Sequence, residues 1–118
     1  NKVFLLGYKE NVYPYILLSK AIISPSLWED PGAVMIEAAY CNKIVISSDC
    51  KSGPKEFLMN NRAGYLFDND NLNSLYETLN KFLKDDSEAV YLKKILAKKN
   101  SKKYSIYSHY IELKKLLN

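Results

Sequence analysis

The chain has 118 residues, of which 47% are hydrophobic and 25% charged, with a formal net charge of +4 and two cysteines. That length is one domain's worth, and the apolar fraction suffices for a core and excludes wholesale disorder. No apolar run approaches the roughly 20 residues that span a bilayer. The charge is uneven: residues 1–84 hold nine Lys/Arg and nine Asp/Glu, whereas residues 85–118 hold eight Lys and four acids. The Lys pairs 93–94, 98–99, 102–103 and 114–115 read as a solvated helix face, or as a surface drawn to anionic lipid headgroups or to a pyrophosphate-linked acceptor. Few Arg and no recognisable binding module argue against nucleic acid. The N-terminal residues read as a strand rather than a signal peptide, and Cys41 and Cys50 read as thiols of a reducing cytoplasm.

Strands and helices are expected to alternate, which predicts a parallel sheet covered by helices. The first strand is placed at residues 2–6 and ended by Gly7. A helix over Asn11–Lys20 follows, with Val12, Ile16 and Leu17 on one face and Pro14 tolerated in its first turn. Ala21–Ser24 is the second strand. A helix begins after Pro31-Gly32 and runs to about Cys41, with Asn42 as a left-handed stop. Ile44–Ser47 is the third strand. Pro54 opens a short helix ending near Asn60-Asn61, and Gly64–Phe67 is a short strand. Asp70 or Asn71 caps a helix carrying Leu72, Leu75, Tyr76, Leu79, Phe82 and Leu83; Asp85-Asp86-Ser87 breaks and recaps it. A helix over Ser87–Lys99 and a last one over Lys102–Leu116 complete the chain, the latter with Ile106, Tyr110, Leu113 and Leu117 along one stripe. Residues 1–118 are read as a single domain, with an α/β part over 1–84 and C-terminal helices over 85–118.

The stretch Ser24-Pro-Ser-Leu-Trp-Glu-Asp-Pro-Gly-Ala-Val-Met-Ile-Glu37 carries the chemistry. A strand that runs into a helix start presents unpaired N–H groups and the positive end of the helix dipole, which suits a phosphate or diphosphate. Glu29 in the turn and Glu37 on the helix are expected to face the same ligand. Two acids beside an anion site are better explained by ligand hydroxyls than by metal or base chemistry. A nucleotide sugar supplies ribose and sugar hydroxyls with a diphosphate between them. The loops after the first three strands, Gly7-Tyr8, Ser26–Gly32 and Asp49–Gly53, are expected to share one rim, where ligands of such sheets bind.

The spacing Glu29-x7-Glu37, with Pro25-Ser26 before it and Pro31-Gly32 inside it, resembles the E-x7-E motif of retaining glycosyltransferases of family 4, which have the GT-B fold. Phe4-Leu-Leu-Gly-Tyr8 before it, and Ile44–Cys50, Ser52-Gly-Pro-Lys-Glu56, Gly64–Phe67 and Tyr104–Leu113 after it, are similar to the family's flanking segments in the right order. The resemblance covers the whole chain. It implies a Rossmann-like, partial C-terminal domain of a GT-B fold that transfers a sugar with retention from a nucleotide diphosphate, a UDP-sugar, to a glycan or lipid-linked acceptor. Catalytic Glu29 would bind hydroxyls of the donor sugar, Glu37 both ribose hydroxyls, and the amides of Gly32, Ala33 and Val34 the diphosphate. Tyr8 and Val12 are assigned to the base. No cofactor or metal is implied, and the enzyme is expected to be cytoplasmic, meeting the inner membrane face through its basic helices.

The family's Arg and Lys, which neutralise the leaving diphosphate, lie upstream of the segment matching Lys2–Gly7, as does the acceptor-binding half. The chain is therefore expected to be the donor-binding portion of a longer enzyme, inactive by itself. Three rivals remain: a non-catalytic nucleotide-sugar module of the same fold, a sugar-nucleotide epimerase, and a flavodoxin-like signalling domain. An epimerase needs a rim His, and the only histidine, His109, lies in the last helix. The flavodoxin-like fold needs clustered aspartates after the first strand, where Lys9-Glu10-Asn11 stands.

Overall fold

A computed structural model describes residues 2–30 and 32–117. Three parallel strands form one sheet in the order β1 (Ala21–Ser24), β2 (Ile44–Ser48), β3 (Tyr65–Phe67). Helices α1 (Tyr13–Leu18), α2 (Ala33–Tyr40), α3 (Pro54–Phe57), α4 (Leu72–Lys84), α5 (Ser87–Ser101) and α6 (Ile106–Leu117) surround or follow it. The expected α/β parallel sheet covered by helices is therefore the observed fold. None of these helices is long and apolar enough to cross a membrane.

β2 is buried along its whole length, so its alternation feeds two cores rather than one. Val45 packs with Ile16, Met35, Ala38, Ala39, Phe57, Leu58, Ala63 and Ala97 on one side. Ile44 and Ile46 pack with Tyr65 and Phe67 on the other, under Leu75, Leu79, Phe82 and Val90. α2 and α5 thus cover one face, and α4 the other. β3 approaches β2 closely because residue 64 is glycine: a Cβ there would stand 2.6 Å from the Val45 carbonyl oxygen.

Local signals set most element ends. Asn42 has φ +60 and stops α2. The Asn71 side chain accepts from Ser74 N at 3.0 Å and opens α4, and Asp86 accepts from Ala89 N at 2.7 Å and opens α5. Pro31 lies outside the described residues.

Three expectations are corrected. Residues 2–6 form no strand: β1 pairs with β2 alone, and Leu5 is 97% exposed. Apolar β-prone composition makes a strand only where a partner edge takes up its hydrogen bonds. The helix placed at Asn11–Lys20 is the shorter α1, because Asn11 Oδ1 accepts from Tyr13 N and Ser19 turns extended. Of its expected face only Ile16 is buried; Val12 and Leu17 are exposed. The last helix splits into a 3-10 turn (Lys102–Tyr104) and α6, where the Ser105 hydroxyl accepts from Ser108 N. Its stripe of Ile106, Tyr110, Leu113 and Leu117 is exposed, since helical spacing marks a face without supplying what covers it.

Behind β3, Tyr65 donates its O–H to Asp85 Oδ2 at 2.7 Å, with Lys93 Nζ 4.6 Å above its ring. Burial pushes the Tyr65 phenol up, and the hydrogen bond to Asp85 and the charges of Asp85 and Asp86 push it further. A phenol held neutral in the fold contributes stability that is complete below its unfolded value, near 10, and is lost as pH rises above that. Burial also raises Tyr104, which adds in the same sense. Burial lowers Lys93, a smaller and opposing effect. We expect the melting temperature to fall as pH rises above about 10 and to fall less in Tyr65→Phe; equal slopes in scanning calorimetry would refute this.

Candidate functional site

The C-terminal ends of the three strands carry the polar groups of the molecule's rim. Ser24 ends β1, and Pro25 directs the chain out of the sheet. Within the following loop, Ser26 Oγ donates to Glu29 Oε1 at 2.7 Å. The loop is fastened to β2 from the other side, because Ser48 Oγ donates to the Ser26 carbonyl. A parallel bridge between Trp28 and Lys51 joins it to the loop after β2. Two of the three loops expected on the rim therefore meet. The third, Gly7-Tyr8, is not brought there by any described bond, and Tyr8 is 88% exposed.

Gly32 connects Glu29 to α2. It is buried, with φ +81, and precedes the first turn of the helix. A Cβ at this position would overlap Met35 Cε and stand 3.4 Å from Glu29 Oε2. The glycine thus does two things: it adopts a left-handed backbone, and its missing Cβ leaves the space that Met35 Cε occupies, beside Glu29 Oε2. α2 has no side-chain cap and no acid in its first turn, so its N-terminal dipole is unopposed from within the helix. Ala33 and Val34 lie in this turn and are exposed. Glu37 lies one turn further along and is half-buried; among the described residues it has no hydrogen-bond or ion-pair partner in its side chain. Its exposed part is the reason it tolerates this, since a fully buried lone carboxylate would be expensive.

Val12 lies at the N-terminus of α1, partly exposed, and its placement shows no link to Glu29 or Glu37. His109 lies in α6 and is exposed, away from the rim elements.

Sequence reasoning missed how far the rim extends. An open cavity of about 610 Å³ follows β2, lined among others by Asp49, Lys51, Gly53, Lys55 and Glu56. Asp49 is held there by its N–H donated to the Phe67 carbonyl at 2.8 Å and by an ion pair with Lys55 at 3.2 Å. A second cavity of about 350 Å³ lies between Trp28, Lys51 and Asp70. Neither Glu29 nor Glu37 lines either of them. The turn signal Asp68-Asn-Asp-Asn was visible in the sequence, but not that it joins the rim, because that proximity is set by pairing of β3 with β2.

Chemically, the rim offers a fixed carboxylate with one free oxygen, uncapped helix amides, and a second carboxylate a turn away. This set suits a ligand with hydroxyls on either side of an anionic group.

A model of the family described as glycosyl transferases group 1 matches residues 1–114. The chain is 35% identical over 85 residues to the N-acetylgalactosamine-N,N'-diacetylbacillosaminyl-diphospho-undecaprenol 4-alpha-N-acetylgalactosaminyltransferase of Campylobacter jejuni, covering 72% of this chain and 23% of that protein. It is 33% identical over 84 residues to the poly(ribitol-phosphate) alpha-N-acetylglucosaminyltransferase of Staphylococcus aureus, covering 71% of this chain and 17% of that protein. The crystal structure of TarM superposes with a TM-score of 0.80 at 30% identity, over 98% of this chain and 23% of that one. The chain thus spans less than a quarter of the length of each of these proteins.

Proposed function

The chain belongs to the glycosyl transferases group 1, of GT-B type, and from this premise we propose that it is the donor-binding part of a transferase of family 4 that uses a nucleotide-diphosphate sugar. The observation that carries the reading is the Glu29 carboxylate, tethered by Ser26 and directed over Gly32 at the uncapped start of α2. In this reading Glu29 accepts from hydroxyls of the donor sugar beside the reacting carbon. The amides of Gly32, Ala33 and Val34 receive the diphosphate, with the helix dipole behind them. Glu37 accepts from the two ribose hydroxyls, and Tyr8 and Val12 contact the base. The donor is a UDP-sugar, transferred with retention and without a metal, in the cytoplasm.

The names of the two curated relatives point to acceptors that are lipid-linked in one case and a polyol-phosphate polymer in the other. We take the acceptor class here to be a glycan or lipid-linked molecule, with the Lys-rich C-terminal helices facing the inner membrane surface. Transfer requires the remainder of the enzyme, and the 118-residue chain alone is expected to bind donor weakly and to turn over none.

Titration of the chain with uridine and guanosine diphosphates, followed residue by residue in NMR, tests the site. Uridine diphosphate should shift Gly32–Val34 and Glu37 most. Glu37→Ala removes hydrogen bonds to a charged group; one such bond contributes about 1.5–3 kcal/mol, so affinity should fall at least about 10-fold. Shifts centred elsewhere, or an affinity unchanged in Glu37→Ala, would reject the assignment.

A further inference from the structure

The rim holds a second concave surface that the donor reading leaves unused. Trp28 immediately precedes Glu29, yet its side chain does not pack beneath the loop: it is 80% exposed. Its backbone is paired with Lys51, which sets the two residues side by side. Together with Leu27, Asn69 and Asp70 they line the cavity of about 350 Å³. Among the described residues, no hydrogen bond or ion pair engages the side chains of Lys51, Asn69 or Asp70, although cation and carboxylate line the same hollow. Donors and acceptors are therefore both available at one aromatic wall.

The hollow is not isolated. It shares Lys51 with the larger cavity after β2, and Leu27 and Asp70 with a further hollow of about 240 Å³ towards Leu72 and Leu75. The three form a run across the C-terminal rim, beside Glu29 rather than over it.

We propose that this run is a binding groove for an extended neutral glycan, with one pyranose ring stacked on Trp28. A pyranose presents an apolar face of C–H groups with positive character, which suits the negative π-face of indole, and a rim of hydroxyls that each donate and accept. Lys51 donates, Asp70 accepts, and Asn69 does both. With one cation and one acid, the central hollow carries no net charge from its lining, so it selects hydroxyls over phosphates. An elongated groove fits several consecutive sugar units better than a single compact ligand. The groove would extend the acceptor site expected upstream, an assignment that rests on the transferase reading; the pyranose chemistry itself does not.

Trp28 is the only tryptophan, so its emission reports on this hollow alone. We expect N-acetylglucosamine trisaccharide and maltotriose, added to the 118-residue chain, to give saturable changes in that emission, with at least one of them binding. Binding should be weakened at least about 10-fold in Asp70→Asn, which loses the acceptor charge while asparagine retains the left-handed backbone seen at φ +55. Trp28→Leu, followed by calorimetry, should lose binding with an unchanged melting temperature, as befits an exposed side chain. The oligosaccharide response should persist in Glu37→Ala. No saturable response to either sugar would overturn the groove. A response confined to UDP-sugars and abolished in Glu37→Ala would overturn it too, by assigning Trp28 to the donor pocket. If the nucleotide fails to bind but oligosaccharide binds, the groove stands and the donor site falls.

Discussion

Phe57→Ala should remove about 3–5 kcal/mol of stability, enough to leave a domain of ordinary stability, about 5–15 kcal/mol, close to unfolding. The ring is 0% exposed and lies where three elements meet. It packs among Met35, Val45 and Ala97, and meets the Tyr104 ring edge-on at 5.7 Å between centroids. Its own carbonyl accepts from the buried Asn100 Nδ2 at 2.7 Å, so backbone and side chain are held by the same helix end. Truncation leaves a cavity that α3, a helix of four residues, cannot close by sliding, because Pro54 and the Asn100 bond fix both its ends. Urea denaturation should show a lower midpoint with an unchanged slope. A loss below about 1 kcal/mol would mean that the region collapses freely, contrary to the packing described.

Gly32→Ala should cost about 2–5 kcal/mol and damage the candidate site at the same time. The backbone at φ +81 is one an L-residue enters at a cost of about 1–2 kcal/mol. The added Cβ must also displace Met35 Cε, the tip of a fully buried side chain, and crowds Glu29 Oε2. Met35 gives way only by repacking against Ile16 and Ala97. Gly7→Ala is the internal comparison: its φ is +63, but nothing lies within 4 Å of the added atom, so only the smaller conformational cost applies. Equal losses in the two variants would show that the space beside Gly32 plays no part. Under the donor reading, Gly32→Ala also weakens the response to uridine diphosphate, because the amide and the carboxylate shift together.

Where chemistry is local, the chain announced its structure. Asn71 and Asp86 open α4 and α5 as their side chains require, and Asn42 stops α2 with φ +60. β1 covers the expected residues, and β2 runs one residue further, to Ser48. Where a partner decides, the residues gave less. Lys2–Leu6 has strand composition without a paired edge, and α6 has an apolar stripe without a cover. The site divides in the same way. The Glu29-x7-Glu37 spacing and Gly32 were visible, and family resemblance supplied their roles. The bond from Ser48 to Ser26 and the bridge from Lys51 to Trp28 span more than 20 residues of sequence and follow only from strand register. Nothing local signals that Asp70 closes the same rim.

The place of Ala97 in the same core as Ile16, Met35 and Val45 has a consequence for the order of events during synthesis. That core cannot close until α5 has been synthesised, although β1, α2 and β2 are complete roughly 50 residues earlier. At about 5–20 residues per second, the nascent chain spends on the order of 2–10 s with one face of its sheet uncovered. Substitutions that loosen α5 therefore act first on the yield of the newly made protein. Chaperone demand and co-translational aggregation would register them before any change in the finished molecule.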